Sequence, residues 1–283
     1  MNYTKPLVGI LATPYIKNNI SNEVFLKETM LTFLKQHSLD YIVIPYNIKK
    51  SKLNKILYTI DGLLFPGSQI GNLYDNKFIK KHFLTQKYIV KQIKLLANNN
   101  NNIIIPILAI CHGYENMILI EKNYNLTKKN ISNTFINVNS FDDYKSMPKF
   151  KNTKLGNLLK RNFNKTKKLV HNNALAIDPK HRIQNYEIIA TSLDKNNKEF
   201  ISIVKHKKYP FFGYQGHPEI NNTKLCAPFI SCVKTVFNKK KLNNKLNNEL
   251  NLNLIKLKSR KVSCKKYNLA KTIKHGKCLL YKI

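Results

Sequence analysis

The chain has 283 residues, and its 49 Lys+Arg against 15 Asp+Glu give a formal charge of +34. Only Arg161, Arg182 and Arg260 are arginine, the other 46 basic residues are lysine, and 39 residues are asparagine. The charge therefore follows a Lys/Asn-rich composition, as A/T-rich codons produce. It does not call for specific nucleic-acid binding, which favours the arginine fork.

Met1 to Ala12 lacks the basic head, long apolar core and small-residue cleavage site of a secretory signal. Its apolar run, Leu7 to Ala12, ends near Pro14 and reads as a buried strand. From Val24 to Gln36, Leu26, Met30, Phe33 and Leu34 recur at helical spacing. Tyr41 to Pro45 is a second strand, and Leu63 to Phe65 a third, entered from Asp61-Gly62 and leaving through Pro66-Gly67. Phe78 to Ala97 is helical in period, with Phe83, Ile89, Ile93 and Leu96 on one face. A polar run at Asn98 to Asn102 reads as a loop. Ile103 to Ile110, almost all β-branched or Leu, is a further strand, and a helical pattern resumes through Met117 and Leu119.

Asn123 to Lys168 is lysine-rich and weakly patterned. Strands follow at Tyr186 to Ser192, Glu199 to Val204 and Phe211 to Tyr214, and Leu225, Phe229, Val233 and Val236 mark a closing helix. After Phe237 the composition changes: residues 239–283 hold 14 basic residues and one acid, Glu249. The chain therefore divides into a globular domain, 1–237, and a basic C-terminal tail, 238–283, in which Leu242, Leu246 and Leu250 can share a helix face. Weak polyanion binding by that tail is expected.

Strands apolar throughout, alternating with helices, predict an α/β fold of three layers: a mostly parallel central sheet with helices on both faces. No run reaches the roughly 18 apolar residues of a membrane span. Five cysteines, an odd number without a leader, point to free thiols in a reducing compartment, and so to a cytoplasmic protein. Cys264, His275 and Cys278 offer only three ligands where structural zinc takes four. No metal and no cofactor is therefore expected.

The chemistry gathers in three places. In Ile103 to Glu115 a buried strand runs into Cys111-His112-Gly113 ahead of a helix, the strand–turn–helix geometry of a nucleophile elbow. There the helix N-terminus favours the thiolate of Cys111, and the His112 N–H can face a developing oxyanion. An ordinary buried core cysteine is the alternative, and the segment alone leaves both open. In Gln215-Gly216-His217-Pro218-Glu219, His217 can serve as base, oriented by Glu219 from the same side of an extended segment. Phe65-Pro66-Gly67-Ser68-Gln69 ends a strand in a turn whose N–H groups can complete an oxyanion hole.

Together these segments resemble the class I glutamine amidotransferase-like superfamily and, within it, the gamma-glutamyl hydrolase family. The resemblance runs from Pro6 to about Phe237. It is carried by Pro6 to Leu11, Asp61 to Gly67, Pro106 to Glu115, Ala190 to Asp194 with Glu199 to Ser202, and Tyr209 to Glu219. It implies Cys111 as nucleophile, His217 as base and Glu219 as its orienting acid. It also implies an oxyanion hole from the amides of Gly67 and His112, with His171, Glu115 and Ser68 at the substrate.

The implied reaction is hydrolysis of gamma-glutamyl bonds, such as those of folate poly-gamma-glutamates, through an acyl-enzyme. Its partner is a small gamma-glutamyl compound, with no membrane and no specific nucleic acid, and a homodimer is compatible with the sequence. A glutaminase serving a synthetase partner, or a binding protein that kept the fold without catalysis, are the alternatives. Three residues depart from the family pattern. Ser68 stands where Gly is usual and is expected to narrow the oxyanion turn. Gly216 stands where Trp is usual and is expected to loosen His217 or reshape the pocket. Thr29 and Met30 replace a Ser-Tyr pair.

Overall fold

The computed structural model describes residues 4–17, 20–68, 75–98, 104–181, 183–242 and 278–282, and the structural statements that follow concern these. In chain order the elements are β1 (Leu7–Leu11), β2 (Thr13–Lys17), β3 (Ile20–Lys27), α1 (Glu28–Gln36), β4 (Asp40–Ile44), α2 (Lys50–Thr59), β5 (Gly62–Phe65), α3 (Lys77–Asn98), β6 (Ile107–Ile110) and α4 (His112–Glu121). There follow α5 (Lys128–Ser132), β7 (Phe135–Ser146), β8 (Lys149–Phe150), α6 (Lys154–Asn162), β9 (Leu169–Ile177), β10 (Tyr186–Leu193), β11 (Glu199–His206), β12 (Phe211–Tyr214), α7 (Pro218–Asn221), α8 (Ala227–Leu242) and β13 (Cys278–Lys282).

The layers follow from strand periodicity. Successive strand side chains point to opposite faces. Leu7 and Leu11 of β1, Leu63 and Phe65 of β5, and Ile107 and Ala109 of β6 join one apolar cluster with Leu53 of α2, Phe83 and Ile93 of α3 and Met117 of α4. The intervening Val8, Ile10, Leu64, Leu108 and Ile110 join a second, with Met30, Phe33 and Leu34 of α1 and Phe229 and Val233 of α8. Both sheet faces are thus covered, which is why these strands carry no polar alternation. Each fully buried side chain of this kind contributes roughly 1.5–3 kcal/mol.

The main sheet runs β4-β1-β5-β6-β12-β11-β10-β8, with β9 on β11 and β7 on β9. Pairings from β4 to β12 are parallel. From β12 outward they are antiparallel. The expected α/β architecture is present, and the sheet is mixed, its antiparallel half built by the chain after α4. A small antiparallel sheet, β13-β3-β2, lies apart.

Three local differences have physical reasons. Val24 and Leu26, expected in a helix, are buried in β3, and the helix starts at Glu28. Two apolar residues two apart suit a strand, and β3 gains ladders to β2 and β13. The weakly patterned middle folds into α5, β7, β8 and α6. Register shifts in the β7–β9 pairing and positive φ at Asp142 and Asp143 erase any clean alternation there. The closing helix runs on to Leu242, past the compositional boundary at Phe237. Leu246 and Leu250 lie outside the described residues. Among the described residues no helix is long and apolar enough to cross a membrane.

Candidate active site

β5, β6 and β12 are parallel neighbours, so their C-terminal ends leave the sheet on one edge. Phe65 is level with Ala109, and Tyr214 with Ile110. The turn after Phe65, the cysteine after Ile110 and the segment after Tyr214 therefore meet, although 150 residues separate Gly67 from His217 in sequence.

Cys111 sits at the end of β6 with φ 51° and ψ −118°. That is outside the regions L-residues favour, and holding it there costs on the order of 1–3 kcal/mol. The backbone is pinned on both sides. The Cys111 N–H donates to Tyr214 O at 2.7 Å, and the Cys111 carbonyl accepts from Tyr114 and Glu115 in the first turn of α4. Gly113 permits the close approach of that turn: a Cβ there would fall 2.4 Å from the carbonyl oxygen of Phe65. This is the elbow geometry expected from the sequence.

Gly67 lies against both Cys111 and His217. A Cβ on it would stand 3.0 Å from Cε1 of His217, 3.1 Å from Cβ of Cys111 and 3.7 Å from its sulfur. The His112 N–H donates toward the Cys111 sulfur.

His217 precedes α7 and Glu219 lies in its first turn; Nδ1 and Oε1 are 2.8 Å apart. The expected pairing is present, but its route differs. The two residues meet across a helix start with Pro218 in its first position, not along an extended segment. With Nδ1 donating to the carboxylate, Nε2 carries the acceptor lone pair. The His217 N–H donates to Val170 O at 2.7 Å.

The thiol differs from expectation. Burial, with smaller contributions from the charges of Glu115 and Glu219, pushes Cys111 up to about 12, against the opposing effects of Lys27 and the His112 amide. The helix N-terminus does not prevail, because a thiolate this deeply buried loses its water. The shift favours the thiol form of Cys111.

His171, on β9, is fully buried beside His217, and its Nε2 is 2.8 Å from Ser146 Oγ. It stacks edge-to-face on Phe200. Burial, and then His217, push its pKa down to about 3, so it is neutral. Gly216 is closed in by β9: a Cβ there would lie 2.7 Å from Leu169 Cγ, 2.8 Å from Val170 O and 2.9 Å from His171 Cε1. The glycine lets the segment bearing His217 lie against β9. The His217 N–H bond to Val170 O ties that segment to β9.

Glu115 is buried; its Oε1 accepts from Gln215 Nε2 at 2.8 Å, and its Oε2 is 3.6 Å from His112 Nδ1. Ser68 Oγ is buried without a hydrogen-bond partner among the described residues. Sequence reasoning missed the polar residues behind the Cys111 turn, His82 and Gln86 of α3 and Asn116 of α4, all buried. The signal available was their position on otherwise apolar helix faces. Among the described residues no group of three or more His, Cys, Asp or Glu is placed to hold a metal. Cys264 and His275 lie outside the described residues.

A family model, glutamine amidotransferase class-I, matches residues 20–231. Gamma-glutamyl hydrolase 1 of Arabidopsis thaliana is 26% identical over 242 residues, covering 78% of this chain and 64% of its own length. Gamma-glutamyl hydrolase B of Dictyostelium discoideum is 25% identical over 224 residues, covering 76% and 62%. Gamma-glutamyl hydrolase of Rattus norvegicus is 24% identical over 226 residues, covering 76% and 67%. The chain thus matches less than two thirds of the length of the first two. A solved structure from Thermoplasma acidophilum, described as that of a GMP synthase protein, superposes with TM-score 0.55 at 14% identity. It covers 85% of this chain and all of that one, and so shares the fold.

Proposed function

Because the chain belongs to the class I glutamine amidotransferase family, we propose that it is a cysteine-dependent hydrolase of gamma-glutamyl bonds, with folate poly-gamma-glutamates or similar conjugates as substrates. The observation that carries this reading is the convergence of Cys111 and the His217–Glu219 pair on Gly67. The similarity to gamma-glutamyl hydrolases supports the choice of bond.

The resting thiol sets the order of events. As the sulfur attacks the gamma carbonyl, the thiol proton passes to His217 Nε2, and Glu219 stabilises the imidazolium. The carbonyl oxygen, now an anion, is received by the amides of His112 and Gly67. His217 then gives its proton to the leaving amine, which departs and leaves a thioester on Cys111. Water, deprotonated by His217, attacks the thioester; the acyl part leaves as its gamma-carboxylic acid (the shortened folate, for a poly-gamma-glutamate), and His217 returns the proton to the Cys111 sulfur. Ser68 and His171 are suited to contact the substrate. Glu115, close enough to act on Cys111, is suited to accept from a substrate N–H. The basic segment from 238 onward is proposed to add weak, salt-sensitive attraction for polyanions.

A glutaminase reading is the alternative, favoured by the family model itself. A panel of gamma-glutamyl compounds, glutamine included, separates the two with wild type and Cys111→Ala. Cleavage of gamma-glutamyl peptides by wild type alone supports the hydrolase. Ammonia from glutamine without peptide cleavage supports the glutaminase. Peptide cleavage that survives in Cys111→Ala removes the mechanism.

A further inference from the structure

Behind the nucleophile lies a chain of buried polar contacts in which each link fixes the direction of the next. It starts at the carbonyl of Gly113, which only accepts. Gln86 Nε2 donates to it at 2.8 Å. The Gln86 amide is thereby oriented, and its Oε1 is left to accept from Asn116 Nδ2, 3.2 Å away. That contact orients Asn116, whose Nδ2 also lies 3.1 Å from His112 Nε2. An amide nitrogen only donates, so His112 Nε2 accepts and the ring proton sits on Nδ1. Nδ1 faces Glu115 Oε2 at 3.6 Å. The other oxygen of Glu115 accepts from Gln215, two residues before His217. All these side chains are buried, so the chain operates at low dielectric. The neighbouring His82, its ring 6.2 Å from that of His112, is pushed down to about 3 by burial and by His112, and so adds no competing cation.

We infer that Gln86, Asn116 and His112 are positioning residues for the reaction at Cys111. They hold the first turn of α4 through Gly113 and lock His112 as its Nδ1–H tautomer, which turns that N–H toward Glu115 Oε2, 3.6 Å away, while Gln215 supplies the hydrogen bond to the other oxygen. The nucleophile turn and the segment bearing His217 are thereby tied together through Glu115. The role rests on the hydrolase reading only for the rate it affects; the tautomer does not depend on it.

The test uses the full chain labelled with ¹⁵N-histidine, with the His112 signals assigned by loss in His112→Gln. Wild type should show Nδ1 protonated and Nε2 bare. In Asn116→Leu and Gln86→Met, that single tautomer should give way to a mixture. The kcat for gamma-glutamyl cleavage should fall about ten-fold or more, with KM within about two-fold, as expected when reacting groups are displaced rather than binding lost. Asn116→Asp, nearly isosteric, replaces Asn116→Leu if the leucine prevents folding. A wild-type His112 protonated on Nε2 overturns the inference without any variant. So do folded variants that keep the wild-type kcat. Absence of gamma-glutamyl cleavage by wild type would instead remove the hydrolase reading, with the tautomer still deciding the inference.

Discussion

Oε1 of Glu219 lies 2.8 Å from Nδ1 of His217, with both residues buried at the start of a four-residue helix. The carboxylate fixes which imidazole nitrogen can accept a proton. Glu219→Gln keeps the size but can present an N–H to Nδ1, favouring the wrong tautomer. The expected result is a loss of about 10²- to 10⁴-fold in kcat with little change in KM, measured by steady-state cleavage of a gamma-glutamyl peptide. A variant within two- or three-fold of wild type (roughly the noise of such a comparison) would show that Glu219 does not orient the base.

Burial pushes the Cys111 thiol up from its ordinary 9.0 to about 12. Its thiolate fraction therefore grows with every pH step through neutrality, and the rate of iodoacetamide labelling at Cys111 should climb about ten-fold per unit between pH 7 and 9. A rate already flat below pH 8 would mean a preformed thiolate. The same displacement affects stability. The folded thiol keeps its proton where the unfolded one has lost it, so this contribution is full below about 9 and is lost as pH rises toward about 12. Urea midpoints across that range should fall less steeply for Cys111→Ala than for wild type.

Gly67 leaves no room for a side chain between Cys111 and His217. Gly67→Ala should displace one of the two reacting groups by a few tenths of an ångström and lower kcat by about ten-fold or more, while thermal melting changes little. A fully active Gly67→Ala would place the reacting groups elsewhere.

Lys240 is mostly buried against the end of α2, its Nζ 3.3 Å from Asp61 Oδ1 and 2.6 Å from the carbonyl of Ile60. Asp61 Oδ2 in turn accepts from the Leu7 N–H. Lys240→Met leaves a buried carboxylate without its cation and should cost about 3 kcal/mol, lowering Tm by roughly 5–10 °C. Adding Asp61→Asn should recover part of that loss. An unchanged melting temperature in the single variant would show that the pair carries no net stability.

Much of the architecture was legible because buried parallel strands have a strong local signature. Leu7 to Leu11, Leu63 to Phe65 and Ile107 to Ile110 are apolar on both faces, and the residues following two of them break into Gly-containing turns. The elbow at Cys111-His112-Gly113 was legible for the same reason. β3 was not, since Val24 and Leu26 satisfy a helical and a strand period alike, and only the ladders to β2 and β13 choose between them. Lys240 was grouped with the tail by composition, yet its ammonium group serves the core. Charge counts do not reveal a partner 179 residues earlier.

The sequence by itself determined which residues have the chemistry: a cysteine after a buried strand, a histidine and a glutamate around a proline, a glycine turn at a strand end. Each of those is local, set by backbone sterics and hydrophobic period over a dozen residues. Only the tertiary structure brings them together, because the parallel register of β5, β6 and β12 puts three distant strand ends on one edge. It also decided the charge state of the site. Whether Cys111 rests as thiol or thiolate depends on how much water and which charges surround it, and those come from every element packed above the sheet.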